Sequence, residues 1–153
     1  MTRYTYTALL ILSGILGGVL YAYKTEAPSV QRADFGGVSL SIEVAATAEA
    51  REQGLGGRAS IPGDYGMLFT FPEDGLYGFW MKGMLVPIDI FWLDDKGQVV
   101  SMATRVATSS YPSVFYPAAP ARYVLETVAG FSEAHGIATG TPLLLKNLPT
   151  VSK

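Results

Sequence analysis

The sequence contains no cysteine and a single histidine, His135. The absence of cysteine excludes disulfides, thiolate zinc sites and cysteine nucleophiles. One histidine also excludes a multi-histidine metal site within one chain, and a serine-histidine-aspartate triad would have to use His135. Any metal site would therefore need oxygen ligands, and no pattern in the sequence predicts a metal or another cofactor.

The chain also lacks a basic stripe. Between residues 34 and 148 there are seven lysines and arginines against twelve aspartates and glutamates, which is a net charge of −5 for this part. Proteins that bind nucleic acid neutralise its phosphates with clustered lysine and arginine side chains. The charge pattern therefore argues against nucleic acid as a partner.

One long apolar run is present, at residues 7–20, TALLILSGILGGVL. The stretch from Tyr4 to Tyr23 is about 20 residues long, which is enough for a helix to cross a bilayer, and tyrosines suit both of its interfaces. Arg3 favours an N-terminus that stays inside, so we expect a single-pass protein of the cytoplasmic membrane with its C-terminal domain outside. The alternative is a cleaved signal peptide and a secreted protein.

The length of 153 residues, with 49% hydrophobic residues, suits one packed domain plus an appendage. We expect a membrane anchor or signal segment at residues 1–24 and a tether at 25–36. The domain should then cover 37–148, with a short tail at 149–153.

Most of this domain has the pattern of strands. Val38, Leu40, Ile42 and Val44 alternate with polar residues, which predicts a half-buried strand. Thr47 is a good N-cap for one short helix that ends at the following glycines. Further strands are predicted at residues 67–71, 79–82, 88–93, 99–103, 122–128 and 141–145. This order predicts a mainly β fold, α+β by strict count, built as a small closed or nearly closed β-barrel.

The segments between these strands carry turn and loop signals. Residues 72–75, PEDG, and 94–97, DDKG, are typical of turns. Residues 105–121 have the prolines and aromatics of a long irregular loop. Such a loop is either the rim of a binding cleft or a cover for one end of the core.

Two acids lie within apolar strand segments. Asp89 shares a strand face with Phe91 and Leu93, and Glu126 shares one with Val124 and Val128. A buried carboxylate is costly unless it is paired or hydrogen-bonded. We therefore expect backbone N–H groups or cationic side chains to meet both acids in one polar cluster. Its predicted members are Arg51, Arg58, Trp80, Lys82, Asp89 and Glu126.

Two interpretations of this cluster remain open. Asp89 and Glu126 could be an acid/base pair, as in glycoside hydrolysis, with nearby aromatic residues stacking on a sugar. The other interpretation is that they form buried ion pairs that fix strand register and attach the short helix to the barrel. The second interpretation is favoured, since nothing in the spacing brings the two carboxylates together.

Several motifs resemble those of the DUF192 family. They are Arg51-x-x-Gly54-Leu55 with Arg58, Gly66-Met67-Leu68-Phe69, Phe79-Trp80-Met81-Lys82, Pro87-Ile88-Asp89-Ile90, Gly97, and Val124-Leu125-Glu126 followed by Ala129-Gly130. The resemblance covers nearly all of residues 38–146 and implies a compact β-rich barrel, often secreted or membrane-tethered, with no established activity. Gly83-Met84 departs from the Asn-Thr pair common in this family.

We therefore expect a membrane-tethered domain of the cell envelope with a non-catalytic binding or accessory role. Its partner would be a small polar ligand, a glycan or an envelope protein. The alternatives are an envelope hydrolase that uses Asp89 and Glu126, and a structural or partner-docking module.

Overall fold

The computed structural model describes residues 30–145, and this part of the chain is mainly β. Its strands are β1 (Val30–Phe35), β2 (Val38–Ala45), β3 (Tyr65–Gly75), β4 (Phe79–Trp80), β5 (Ile88–Leu93), β6 (Val99–Val106), β7 (Val114–Phe115), β8 (Ala121–Val128) and β9 (Leu143–Leu145). Its helices are α1 (Ala48–Gln53), α2 (Phe131–His135) and a 3-10 helix at Thr108–Ser110.

The predicted anchor at residues 1–24 lies outside the described part of the chain. Within residues 30–145, no helix has both the length and the apolar character needed to cross a bilayer.

Seven strands form one sheet in the order β6-β5-β8-β3-β2-β1-β9. Neighbouring strands are antiparallel except β2 and β3, which are parallel and are connected through α1. The sheet curls until its two outer strands approach each other: the Val99 N–H donates to the Thr141 carbonyl at 3.0 Å, and the Leu143 N–H donates to Gly97 at 2.9 Å. The predicted barrel is therefore a curled half-barrel, with its edges joined by these few bonds.

Strand β1 lies where the sequence predicted a tether. It pairs with β2 and with β9, and its residues Ala33 and Phe35 are buried. Gly36 and Gly37 both have positive φ, at 61° and 85°, and join β1 to β2 as a two-residue hairpin loop. The folded domain thus includes residues from 30 onward, because this hairpin supplies the seventh strand of the sheet.

The curl gives the sheet two apolar faces. The inner face holds Phe35, Leu68, Phe91 and Leu125, together with Phe131 of α2. The outer face holds a second cluster that includes Phe69, Ile90 and Trp92 and is covered by α1 and the loops. All six residues of β5 are buried because both of its faces are packed.

The predicted short helix is α1. The Thr47 hydroxyl accepts a hydrogen bond from the Ala50 N–H at 3.1 Å, which is the expected N-cap. Arg51 attaches the helix to the sheet, because its Nη1 donates to the Ala46 carbonyl at 2.7 Å and to the Thr70 carbonyl at 3.0 Å. The second short helix is α2, a single turn that ends at Gly136 as the glycine there predicts, and its Phe131 ring stacks on Phe35 with centroids 6.0 Å apart.

Two connecting segments differ from the prediction. Residues 72–75 do not turn but continue β3, with a register shift against β8 between Thr70 and Gly75. The predicted loop at 105–121 includes the end of β6, the 3-10 helix and β7, and β7 pairs with β4 in a separate two-stranded sheet. The small sheet places Trp80 opposite Val114 at the surface.

Candidate functional site

A cavity of about 300 Å³ lies on the outer face of the curled sheet. Helix α1 and the glycine-containing loop after it form one side, and β3, β4 and β8 contribute the other lining side chains. The volume is at the lower end of the range for pockets that hold small molecules. The cavity is therefore large enough for a compact ligand.

The carboxyl group of Glu126 lies at the floor of this cavity. Alternation along β8 turns Glu126 toward the outer face, between Met67 of β3 and Ile90 of β5 in the register of the sheet. The Glu126 residue is 4% exposed. Its side-chain carboxyl has no hydrogen-bond partner among the side chains and backbone groups of residues 30–145. Burial raises the pKa of Glu126 to about 8. The carboxyl is therefore mostly protonated at neutral pH and can both donate and accept a hydrogen bond.

Aromatic rings form the walls around this acid. Phe71 and Tyr77 stack with ring centroids 3.6 Å apart, and Phe79 meets Phe69 edge to face at 4.9 Å. Trp80 completes the lining at the surface end. Glu126 thus shares the lining of one pocket with several aromatic rings, a combination that small-molecule sites commonly have.

Charged side chains also line the cavity. The Arg51 guanidinium lies over the Phe71 ring, 5.2 Å from its centroid. The Lys82 ammonium pairs with Glu52 at 2.9 Å and lies 5.2 Å from the centroid of the Trp80 indole. These three charges sum to +1, and none of them bonds to Glu126.

The aromatic lining continues onto the open surface through Trp80, which is 42% exposed. The Tyr111 ring lies 6.2 Å from the Trp80 ring, and Tyr116 packs against the position of Gly78. Tyr111 is 48% and Tyr116 64% exposed. The segment 105–121 does not line the cavity but adds exposed rings beside it.

Asp89 lies in a different environment, on the inner face of the sheet. One of its oxygens accepts from the Arg105 N–H at 2.7 Å and the Gly130 N–H at 3.0 Å. The other accepts from the Ser132 N–H at 2.9 Å and the Ser132 hydroxyl at 2.8 Å. These four bonds attach the start of α2 and the end of β6 to β5, so Asp89 is a structural hydrogen-bond acceptor.

Arg58 is also separate from the cavity. Its Nη2 donates to both oxygens of Glu43, at 3.1 and 3.0 Å, and its Nη1 donates to the Tyr65 hydroxyl at 2.8 Å. The Tyr65 hydroxyl in turn donates to Glu43. Burial and the neighbouring Glu43 carboxylate raise the pKa of Tyr65, so the phenol keeps its proton. This triad connects the loop after α1 with β2 and β3.

The structure thus divides the predicted polar cluster. Arg51, Trp80, Lys82 and Glu126 line one cavity, whereas Asp89 and Arg58 do not. The expectation that backbone N–H groups or cationic side chains meet each acid is confirmed for Asp89, which accepts from three backbone N–H groups and a serine hydroxyl. It is wrong for Glu126, whose carboxyl has no such partner among residues 30–145, and the two acids do not share one cluster.

Most of the lining was not predicted from the sequence, and Glu52 and Tyr77 are two examples. Glu52 faces the loop that carries Lys82, and only the fold reveals that pairing. Tyr77 and Phe79 are two residues apart, which is the spacing of side chains on one face of an extended segment. From this spacing the sequence could have predicted that the Tyr77 and Phe79 rings lie on one side of the chain.

Within residues 30–145, no group of three or more histidine, aspartate or glutamate side chains is arranged to hold a metal ion. The His135 ring lies against Phe131, with centroids 4.5 Å apart, at the end of α2. None of the lining residues is therefore assigned to a metal or a cofactor.

A model of the DUF192 family, described as an uncharacterised ACR, matches residues 30–145. A search of curated proteins found no match.

Two solved structures are similar to this chain. One is a protein of Sinorhizobium meliloti 1021 described as a candidate transcription regulator. It is 26% identical with a TM-score of 0.75, over 80% of this chain and 98% of that one. The other is a protein of unknown function from Novosphingobium aromaticivorans. It is 23% identical with a TM-score of 0.69, over 83% of this chain and 99% of that one. The second likeness concerns the fold alone.

Proposed function

The chain belongs to the DUF192 family, and we propose that it is a non-catalytic domain that binds a small polar ligand in the cavity lined by Glu126. The observation that carries the proposal is the Glu126 carboxyl, which is almost completely buried and has no bonding partner among residues 30–145.

A purely structural role does not account for this acid. A buried polar group without a hydrogen bond costs about 1–3 kcal/mol of stability relative to an apolar residue of similar shape. Elsewhere in this domain the buried acid Asp89 makes four hydrogen bonds. The Glu126 carboxyl has no protein partner and opens to the cavity, so it is free to form hydrogen bonds with a ligand bound there.

The alternative of an envelope hydrolase needs two carboxyl groups on either side of one scissile bond. Asp89 and Glu126 lie on opposite faces of the sheet, and both oxygens of Asp89 already accept hydrogen bonds. Glu52, the other acid lining the cavity, is paired with Lys82. Binding without catalysis therefore fits the geometry better. For the cellular setting we retain the proposal of a domain tethered outside the cytoplasmic membrane, based on the apolar run at residues 7–20.

The stability of a Glu126→Met variant tests the proposal without knowledge of the ligand. Methionine has a similar shape and needs no hydrogen bond. If Glu126 is retained for a ligand, denaturant unfolding at pH 4.5, where ionisation of Glu126 contributes little, should give a free energy of unfolding about 1–3 kcal/mol higher for Glu126→Met than for the wild type.

Met67→Leu is the matched control, because Met67 is the neighbour of Glu126 on β3 and the change conserves volume. It should leave the free energy of unfolding within about 1.5 kcal/mol of the wild type, with no gain. A clear loss of stability in Glu126→Met would show that the carboxyl supports the fold, and would contradict the binding proposal.

A further inference from the structure

We infer that the ligand is a carbohydrate, with one sugar ring in the cavity against Glu126 and further rings of the same chain on the exposed surface of Trp80, Tyr111 and Tyr116. This inference rests on the proposed binding function and names the chemical class of its ligand. It is based on three features: the lining of the cavity, the charges around it and the aromatic surface that continues from it.

The lining suits a molecule that has apolar faces and hydroxyl edges. The aromatic walls, including Phe71, Tyr77 and Phe79, offer apolar contact. The protonated Glu126 carboxyl can donate to one hydroxyl oxygen and accept from the same or a second hydroxyl group. A sugar ring carries both kinds of surface, since its C–H groups form apolar patches between its hydroxyls.

The surrounding charges disfavour a cationic ligand. Arg51 and Lys82 against Glu52 leave a net positive charge around the cavity, which opposes an ammonium group. A small anion is also disfavoured, because Nη1 of Arg51 already donates to two carbonyl oxygens and Lys82 is paired with Glu52. A neutral, hydroxyl-rich ligand meets neither difficulty.

The exposed aromatic surface extends the site beyond one ring. Trp80 belongs to the lining and to the surface, so the cavity and the surface are continuous. Tyr111 lies beside Trp80, and Tyr116 packs on Gly78, whose place a larger residue could not take because a Cβ there would lie 2.6 Å from the Tyr116 ring. Exposed rings beside the mouth of a pocket match a ligand that has further rings outside the pocket.

Isothermal titration calorimetry of the full chain in a polyoxyethylene detergent tests the inference. The probes are trisaccharides of a neutral hexose and of an N-acetylhexosamine, with the corresponding monosaccharides. Choline chloride and sodium phosphate are the comparison probes for cationic and anionic ligands. The detergent contains neither a sugar nor an ammonium group, so it does not compete with the probes.

We expect at least one trisaccharide to bind, and to bind more tightly than its monosaccharide. Trp80→Ala should weaken trisaccharide binding about tenfold through the lost ring contact. Glu126→Met should weaken binding of both the trisaccharide and the monosaccharide. Leu144→Ala, which removes an exposed apolar side chain on β9, is the matched control and should leave affinity unchanged.

Two outcomes would overturn the inference. Binding of choline or phosphate that depends on Glu126, without binding of any saccharide, would refute the carbohydrate class and leave the binding function intact. Absence of binding by every saccharide would also refute the class. The stability of Glu126→Met decides the binding function independently, so the two proposals fail separately.

Discussion

Asp89 and Glu126 lie on adjacent strands but on opposite faces of one sheet. Asp89 is paired in register with Thr127, the neighbour of Glu126, so alternation along β8 turns Glu126 to the other side. Asp89 accepts four hydrogen bonds on the inner face, whereas Glu126 has no partner among residues 30–145 and lies at the floor of a cavity. The two acids of similar burial thus have different roles.

We predict that Asp89→Asn lowers the free energy of unfolding by about 3 kcal/mol. An amide offers only one acceptor oxygen, so its NH₂ group would face donors at Arg105 and Gly130 or at Ser132. Chemical denaturation followed by circular dichroism measures the change. Asp95→Asn, in the exposed hairpin loop, is the control and should change stability by no more than about 0.5 kcal/mol. Equal effects of the two substitutions would contradict a structural role for Asp89.

The stability of the domain should depend on pH through Glu126. Its pKa is raised in the folded state from 4.5 to about 8, so the folded state keeps a proton that the unfolded state releases. The stabilisation is fully present below about pH 4.5 and is lost as pH rises toward about 8. We expect this residue to contribute a fall of up to about 1.4 kcal/mol per pH unit in that window.

Unfolding curves of the wild type and of Glu126→Gln between pH 4.5 and 8 measure this contribution. The glutamine variant cannot ionise. The unfolding free energy of the wild type should therefore fall relative to that of the variant as pH rises. A difference that stays constant across the window would mean that the Glu126 pKa is the same in both states.

Arg58 should stabilise the domain through Glu43 and Tyr65. Arg58→Met removes three hydrogen bonds and leaves the Glu43 carboxylate with only the Tyr65 hydroxyl, so we expect a loss of about 1–2 kcal/mol. Lys82→Met is the matched control, since the Lys82–Glu52 pair is mostly exposed and solvent screens it, so its loss should change stability less than the loss of Arg58. Thermal unfolding at low salt compares the two. A larger effect of the Lys82 change would contradict this ranking of the two ion pairs.

Much of the fold follows from local patterns in the sequence. Alternation in β2 and the Thr47 cap of α1 predicted elements that the structure confirms. Strand β1 was missed because its six residues expose Val30 and bury Ala33, which is a poor alternation, and the Gly36-Gly37 pair was not used as a hairpin signal. The Gly36-Gly37 pair is therefore better evidence for the β1–β2 hairpin than the alternation of β1 is.

The site could be predicted only in part. The strand faces of Asp89 and Glu126 were assigned correctly, but the partners of each acid come from distant parts of the chain. The Ser132 N–H that meets Asp89 is 43 residues away, and the cavity above Glu126 is closed by α1, more than 70 residues earlier in sequence. Alternation decides which face a residue takes, whereas tertiary packing decides what covers that face.

The central claim is that Glu126 is buried without a partner, and its titration tests this claim most directly. The side-chain carboxyl carbon of Glu126 can be followed by NMR in glutamate-labelled protein between pH 3 and 10, with Glu126→Gln to identify the signal. We predict a midpoint near pH 8, far above the ordinary 4.5 of a glutamate. A midpoint at or below 4.5 would show a solvated or ion-paired carboxylate, and would contradict the account of the cavity and its ligand.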